Sequence, residues 1–249
     1  MRGPPASCFE SLPDEREVGV WWLRVDDIDA SCHARWYAML DARERERARR
    51  FFFEHDRLEF VACHALLRSK LSAFAGGSPC DWKFSSDTFG KPQVSPEQKL
   101  PELRFNISHT RGLVAVAITW GAEIGIDVEL IKPFPDQQDI ANRYFAASEV
   151  ELLLKTPLSE RPHVFARLWT LKEAYLKATG LGLNAQLETF AFQLEPLQVV
   201  FGPEISDRSE KWQFVNTLVT SQHVLSIAVR QSGDRQLPVM LREACPADL

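Results

Sequence analysis

The sequence contains little that would mark a secreted, membrane-spanning or nucleic-acid-binding protein. No apolar run approaches the roughly 20 residues that a membrane-spanning helix needs, and residues 1–13 lack the continuous apolar segment of a signal peptide. The five cysteines are scattered without a CxxC pair, which argues against a zinc site or a disulfide framework. The formal net charge is −5, so the surface as a whole does not attract nucleic acid. These absences predict a cytoplasmic protein with no membrane or nucleic-acid partner.

The composition that remains is typical of a globular protein. The 249 residues are 45% hydrophobic and 25% charged, enough for one large domain or two modest ones. Alternation and turn signals predict strands at residues 18–25, 105–108, 113–120, 124–130 and 224–229. Helical periodicity predicts helices at residues 34–55, 58–74, 148–154 and 162–179. This order predicts an α+β fold, either as two halves divided near residues 121–125 or as one continuous domain, after a loose tail at residues 1–15.

Two carboxylates lie on one face of the strand predicted at residues 124–130. Side chains alternate along a strand, so Asp127 and Glu129 project together while Ile126 and Val128 enter the core. Neighbouring carboxylates repel each other unless a cation lies between them, and Mg²⁺ is typically held by one or two carboxylates together with water and phosphate oxygens. The alternative interpretation is a solvated strand face.

A third carboxylate and a lysine project together from the helix predicted at residues 162–179. Leu171 and Tyr175 belong to its buried stripe, whereas Glu173 and Lys177 stand one turn apart on a different side. Such a pair is usually a surface ion pair worth a few tenths of a kcal/mol. A carboxylate beside a lysine is also what a magnesium-bound pyrophosphate requires.

The segment FNISHT, at residues 105–110, combines amide, hydroxyl and imidazole groups. Ser108 and His109 are adjacent and would face opposite ways on a strand, which is a poor geometry for a serine nucleophile and its base. No G-x-S-x-G turn surrounds Ser108, so a hydrolase triad is disfavoured. These groups, and Lys91 in the turn at residues 90–92, could bind phosphate oxygens or could be ordinary turn residues.

Taken in this order and spacing, FNISHT, GIDVE and WTLKEAYLK resemble the signature of the 4′-phosphopantetheinyl transferases. The closer likeness is to the broad-specificity class that activates nonribosomal peptide and polyketide synthases, and it runs from about residue 41 to residue 182. The resemblance implies two similar α+β halves in one chain, residues 1–122 and residues 123–249, with coenzyme A in the cleft between them. The second half would carry the metal ligands. Because one chain contains both halves, the resemblance also predicts a monomer.

The resemblance also implies roles for the acidic residues. Magnesium, or manganese in its place, would be bound by Asp127, Glu129 and Glu173, and Lys177 would hold the pyrophosphate. Glu149 matches a further acidic position of the family near the metal.

On the nucleotide side, the resemblance implies contacts from Arg47, Lys91, Pro92, Ser108 and His109. Arg47 and His109 would lie near the 3′-phosphate, and Lys91 and Pro92 would line the adenine side. Where the family usually has another phosphate-binding arginine, this sequence has Glu59 or Phe60. Arg57 is the nearest replacement, and one turn of misregister would place Arg57 or Arg68 there.

The reaction that the resemblance implies moves the 4′-phosphopantetheine group of coenzyme A to a serine of an apo acyl or peptidyl carrier protein and releases 3′,5′-ADP. Asp127, Glu173 and Lys177 would be its catalytic residues, with Glu173 as the base or only a ligand.

Three alternatives remain at the level of the sequence. One is a narrower holo-acyl-carrier synthase, which the two-half length disfavours. The others are a catalytically silent module that binds coenzyme A or a carrier, and a magnesium-dependent nucleotide hydrolase, for which no P-loop is present. The carrier is expected to dock beside Phe134, Ile140 and Tyr144, which could instead pack between the halves.

Overall fold

The computed structural model describes residues 17–26, 28–87, 90–182, 186–231 and 236–249, so the tail predicted at residues 1–15 lies outside them. Within these residues the strands are β1 (Val18–Arg24), β2 (Phe84–Ser86), β3 (Pro92–Val94), β4 (Leu103–Thr110), β5 (Leu113–Trp120), β6 (Ile124–Leu130), β7 (Phe190–Leu194), β8 (Leu197–Phe201), β9 (Trp212–Leu218), β10 (His223–Arg230) and β11 (Val239–Glu243). The helices are α1 (Ala30–Met39), α2 (Ala42–Arg49), α3 (Glu54–Ala75), α4 (Gln137–Tyr144), α5 (Ala147–Lys155) and α6 (Arg161–Thr179). The fold class is α+β, as predicted. No helix in the described ranges has the length and apolar character to cross a membrane.

The first sheet has the strand order β11-β1-β5-β4 and packs against α3. Residues 113–119 of the central strand β5 are all buried, because α3 covers one face of the sheet and the second sheet covers the other. Trp21 and Trp36 are buried with Leu66 and Leu71 of α3 in the core on the helix side. The apolar stripe of the helix predicted at residues 58–74 is therefore the face that α3 buries.

The second sheet has the order β6-β10-β9, and α6 lies across it. Leu171 and Tyr175 of α6 are buried with Phe190 and Trp212, which places the β7–β8 hairpin against the helix. A separate cluster of aliphatic side chains from β1, β5, β6 and β10 fills the space between the two sheets. The two sheets therefore share one apolar interface.

The last strand lies with the first sheet rather than with the second. β11 pairs in parallel with β1, from Val18 opposite Val239 to Trp22 opposite Glu243. Residues 239–243 therefore form an edge strand of the sheet that otherwise belongs to the predicted N-terminal half. The division of the chain between residues 122 and 123 stays a prediction.

The prediction of a single helix at residues 34–55 is wrong, because two helices occupy this range. The Asp41 side chain accepts a hydrogen bond from the Glu44 N–H, and the Glu44 carboxylate accepts one from the Asp41 N–H. This reciprocal capping box starts a new helix, so α1 ends at Met39 and α2 begins at Ala42. A helix that the periodicity did not predict, α4, occupies part of the segment proposed for carrier docking.

The edge strands β4 and β6 are joined by side chains rather than by a backbone ladder. Three polar side chains of β4, at alternating positions, accept hydrogen bonds from N–H groups of β6. These pairs are Asn106 with Ile126 at 2.9 Å, Ser108 with Val128 at 3.3 Å and Thr110 with Leu130 at 3.3 Å. We call Asn106, Ser108 and Thr110 the rungs.

Gly125 allows β6 to lie directly against the backbone of α6. A Cβ atom at this position would lie 2.0 Å from the carbonyl oxygen of Ala174 and 2.4 Å from the nitrogen of Ala178. A glycine inside a strand commonly marks such a close backbone approach. Glu173 and Lys177, which neighbour these alanines on α6, are thereby brought toward β6.

We expect Gly125→Ala to lower the free energy of unfolding by about 3 kcal/mol, at the upper end of overpacking penalties, because the obstructing atoms are backbone. The measurement is urea denaturation. Gly77→Ala is the control, since no described atom lies within 4 Å of a Cβ there and only its φ of +85° opposes the change, at a cost of about 1 kcal/mol. Equal losses at the two positions would contradict the close approach.

Candidate active site

Four residues predicted from the sequence meet where β6 faces α6. The Lys177 Nζ lies 2.6 Å from Asp127 Oδ1. The charge of Asp127 acts on both Glu129 and Glu173, and the charge of Lys177 opposes it at both. The strand alternation and the helical period therefore do bring these side chains to one place.

The negative charge of the three carboxylates, Asp127, Glu129 and Glu173, is only partly neutralised by Lys177. Burial, followed by the charge of Asp127, raises the pKa of Glu129 to about 7. The same two causes, in the same order, raise the pKa of Glu173. One ammonium group beside three carboxylates leaves excess negative charge, which a bound cation would stabilise.

One oxygen of the group lacks a partner. Asp127 is 5% exposed, and its Oδ2 is buried without a hydrogen bond from any described residue. As the side chains stand, no cluster of three or more His, Cys, Asp or Glu residues in the described ranges is arranged to hold a metal. The donor set nevertheless fits Mg²⁺, because this ion usually takes only one or two carboxylates and completes its shell with water and phosphate.

Two of the rungs contact these carboxylates. Ser108 donates to Asp127 Oδ1 at 2.9 Å and lies 3.1 Å from the Lys177 Nζ. Thr110 donates to Glu129 Oε2 at 3.1 Å. Thr110 was not among the predicted site residues, although its alternation with Asn106 and Ser108 on one strand marks it as facing the same way.

A cavity of about 270 Å³ opens beside this group. Four of the predicted site residues are in its wall: Lys91, Pro92, Glu173 and Lys177. The Lys91 ammonium donates to the carbonyl oxygens of Ile124 at 3.2 Å and Ala178 at 3.0 Å, and burial lowers the pKa of this lysine. Lys91 therefore ties the turn between β2 and β3 to β6 and to the end of α6.

A second cavity, of about 300 Å³, shares Pro92 and Ile107 with the first. Arg47 lies in its wall, with its guanidinium 5.3 Å from the centroid of the Phe60 ring. His64 also lines this cavity. His64 lies one helical turn after Phe60, which is one of the two positions where the family usually has an arginine, and no sequence motif pointed to it.

The imidazole groups of His64 and His109 belong to the same electrostatic environment. The Nδ1 atom of His64 lies 2.8 Å from Glu44 Oε1, which leaves Nε2 as the second ring nitrogen. Burial, followed by the charges of Lys177, His64 and Arg47, lowers the pKa of His109. We call Arg47 and His64, which line the second cavity, the basic wall; His109 is not among the residues that line either cavity.

The two arginines considered as replacements for the missing family arginine line neither cavity. Arg68 has no exposed surface, pairs with Glu44 at 2.8 Å and donates to two backbone carbonyl groups. This contradicts its assignment as a phosphate contact. Arg57 pairs with Glu54 at 3.2 Å, and its role in phosphate binding stays a prediction.

Glu149 lies in a buried ion pair rather than beside the other carboxylates. It is 2.8 Å from the Lys172 Nζ and accepts hydrogen bonds from the N–H groups of Ala146 and Phe192. These contacts join α5, α6 and β7. They account for the burial of Glu149 and give no support to its placement near the metal.

A third cavity, of about 230 Å³, extends from Glu129 along apolar side chains that include Phe134, Ile140 and Trp169. Phe134 and Tyr144 pack edge-on against aromatic rings of α6. These contacts lie within residues 123–249, so they do not support the expected packing between the halves. Phe134 and Ile140 also face the cavity. We call this cavity the apolar groove.

Comparison with known proteins gives two family matches. Residues 123–228 match the 4′-phosphopantetheinyl transferase superfamily, and residues 30–120 match the family described as 4′-phosphopantetheinyl transferase, N-terminal.

Individual relatives agree with these matches. The chain is 34% identical over 87% of its length to the 4′-phosphopantetheinyl transferase HetI of Nostoc sp., of which it covers 89%. It is 34% identical over 64% of its length to the 4′-phosphopantetheinyl transferase Sfp of Bacillus subtilis, covering 69% of that protein. The solved holo-[acyl-carrier-protein] synthase of Thermotoga maritima aligns with 44% of this chain and 62% of that one at 21% identity. Its TM-score of 0.32 is too low to support an argument.

Both matched families and both of these relatives are named as transferases, so the alternative of a silent binding module gains no support. The chain therefore belongs to the 4′-phosphopantetheinyl transferase superfamily, and it is an enzyme that transfers the phosphopantetheine group to carrier proteins.

Proposed function

We propose that coenzyme A binds across the two adjacent cavities, with its pyrophosphate at Lys177 and its nucleotide extending toward the basic wall. The cavities share Pro92 and Ile107, and together their walls run from Lys177 to Arg47. Phosphate oxygens are negatively charged acceptors, and charge-assisted donors such as lysine and arginine bind them most strongly. The presence of such donors in two cavities that have Pro92 and Ile107 as common wall residues is the observation that carries this proposal.

In this proposal Asp127, Glu129 and Glu173 hold Mg²⁺ or Mn²⁺. The buried and unpartnered Oδ2 of Asp127 supports the assignment. Burial, followed by the charge of Asp127, raises the pKa of both glutamates, and a cation bound beside these carboxylates would offset both effects. The bound cation supplies neutralisation of the charge on the pyrophosphate oxygens.

Two residues of α6 are assigned to the reaction, one to accept the proton of the carrier serine and the other to stabilise the leaving group. The oxygen of the carrier serine forms a bond to the β-phosphorus of coenzyme A while the bond from that phosphorus to 3′,5′-ADP breaks. We assign the serine proton to Glu173, which lines the first cavity together with Lys177. Lys177 donates to oxygens of the departing 3′,5′-ADP, which offsets their increasing negative charge. Positioning and charge neutralisation then account for most of the rate, as is usual for phosphoryl transfer.

The basic wall is assigned to the 3′-phosphate of coenzyme A. The contact with Glu44 fixes the ring of His64 and leaves Nε2 for a ligand. Arg47 lines the same cavity, and His109 lies within the electrostatic influence of both. Lys91 and Pro92 would border the adenine from the wall of the first cavity.

The carrier protein must bring its serine to the β-phosphate, so it docks beside the carboxylates. The apolar groove begins at Glu129 and offers Phe134 and Ile140 as contacts. An acyl or peptidyl carrier would cover this groove while its serine enters the cleft.

The central test uses purified protein, coenzyme A, Mg²⁺ and a panel of apo acyl and peptidyl carriers. We expect a carrier heavier by one phosphopantetheine group in mass spectra. Asp127→Ala should lower the rate at least about a hundredfold, because loss of a metal ligand should cost more than the 10–100-fold typical of outer-shell partners. Asp81→Asn, at an exposed carboxylate outside the cleft, is the control. Full activity of Asp127→Ala would show that the metal site is misassigned.

A second experiment tests the basic wall with coenzyme A and 3′-dephospho-coenzyme A, which differ only in the phosphate assigned to it. We expect Arg47→Ala and His64→Ala each to weaken coenzyme A binding about tenfold or more, since hydrogen bonds to charged groups contribute 1.5–3 kcal/mol. Binding of the dephospho compound should change little. The measurement is isothermal titration calorimetry.

Arg57→Ala is the comparison variant for this experiment. If Arg57→Ala selectively loses coenzyme A affinity and His64→Ala does not, the 3′-phosphate contact belongs to Arg57, as the sequence predicted, and not to His64.

A further inference from the structure

The hydroxyl of Ser108 has no proton left for a ligand. A serine hydroxyl offers one donor and two acceptor lone pairs. Its proton goes to Asp127 Oδ1 at 2.9 Å, while its oxygen accepts from the Val128 N–H at 3.3 Å and from the Lys177 Nζ at 3.1 Å. All three hydrogen-bonding positions are therefore used within the protein.

Movement of Lys177 toward a pyrophosphate would not make Ser108 a phosphate ligand. Such a movement frees a lone pair on the Ser108 oxygen, which is an acceptor. Phosphate oxygens at neutral pH are acceptors too, so the two cannot hydrogen-bond. Ser108 could donate to a phosphate only by giving up Asp127 Oδ1, whose other donor is the Lys177 Nζ at 2.6 Å. With both donors turned to the phosphate, neither oxygen of this buried carboxylate would have a partner.

Thr110 repeats this arrangement two residues along β4. Its hydroxyl donates to Glu129 Oε2 at 3.1 Å and accepts from the Leu130 N–H at 3.3 Å. Each hydroxyl thus fixes one carboxylate of β6 and, at the same time, binds the backbone N–H of the residue that follows that carboxylate.

We infer that Ser108 and Thr110 are positioning residues that hold Asp127 and Glu129 in the orientation in which these carboxylates bind the divalent cation. The inference rests on the proposed function, and it replaces the phosphate contact that the family resemblance implied for Ser108. Each carboxylate keeps one oxygen on a rung and has the other available, which for Asp127 is the buried Oδ2. Partners that orient a metal ligand in this way typically contribute 10–100-fold to metal affinity or activity.

Thr110 allows a test in which the shape of the side chain is preserved. Thr110→Val removes the hydroxyl with almost no change in volume, and Thr110→Ser keeps the hydroxyl. With coenzyme A present, binding of Mn²⁺ is followed by the paramagnetic resonance signal of the free ion. We expect Thr110→Val to weaken Mn²⁺ binding about tenfold or more, and Thr110→Ser to retain most of the affinity. Thr217→Val on β9, whose hydroxyl contacts only a backbone carbonyl, is the matched control and should leave Mn²⁺ binding unchanged.

Ser108→Ala tests the second part of the inference. Affinity for 3′,5′-ADP is measured by calorimetry in EDTA, where no divalent cation contributes. We expect this affinity to stay near that of the wild type, whereas Mn²⁺ binding falls as in Thr110→Val. A loss of metal-free 3′,5′-ADP affinity as large as that of Arg47→Ala would identify Ser108 as a phosphate ligand and overturn its positioning role.

Unchanged Mn²⁺ affinity in Thr110→Val would overturn the inference for both hydroxyls, and this pair of variants decides the matter if Ser108→Ala does not fold. Failure of the proposed function is distinguishable, because it would appear as absence of phosphopantetheine transfer by the wild-type protein. The Mn²⁺ measurements do not depend on transfer.

Discussion

The unpaired edge of β6 is the constraint on which the active site depends. Among the described residues, β6 has a strand neighbour, β10, on one side only, and buried N–H groups without partners cost about 1–3 kcal/mol each. The rungs supply those partners through side chains. A backbone ladder would have drawn β4 to within about 4.8 Å of β6 and merged the two sheets into one. Side-chain pairing fixes the two strands and brings the hydroxyls of Ser108 and Thr110 into contact with Asp127 and Glu129.

The position of α6 depends on a second close approach. Gly125 lets the strand touch the helix where Ala174 and Ala178 present little more than backbone. Glu173 and Lys177 flank these alanines, so the same contact that packs the helix also carries its two functional side chains to β6. A single residue without a side chain therefore sets the spacing between the strand and helix contributions to the site.

The cleft separates acidic from basic groups, although the chain as a whole is acidic. Asp127 and Glu129 lie at the end near the apolar groove, and Arg47 and His64 lie in the second cavity. An anionic substrate is attracted directly by the basic end, but it can approach the carboxylates only through a cation. The two ends therefore suit the separated phosphate groups of coenzyme A in the proposed binding mode.

The sequence by itself determined the fold class and the face on which each key carboxylate lies, because alternation and helical period are properties of one element. Asp127 and Glu129 were placed correctly on that basis. The helix predicted at residues 34–55 was wrong because a capping box, rather than periodicity, decides where a helix begins. Only the tertiary structure decided that Arg68 is buried and that His64 faces the cavity. The physical reason is that a pattern within one element shows which side chains share a face, whereas the partner of that face comes from elements distant in the chain.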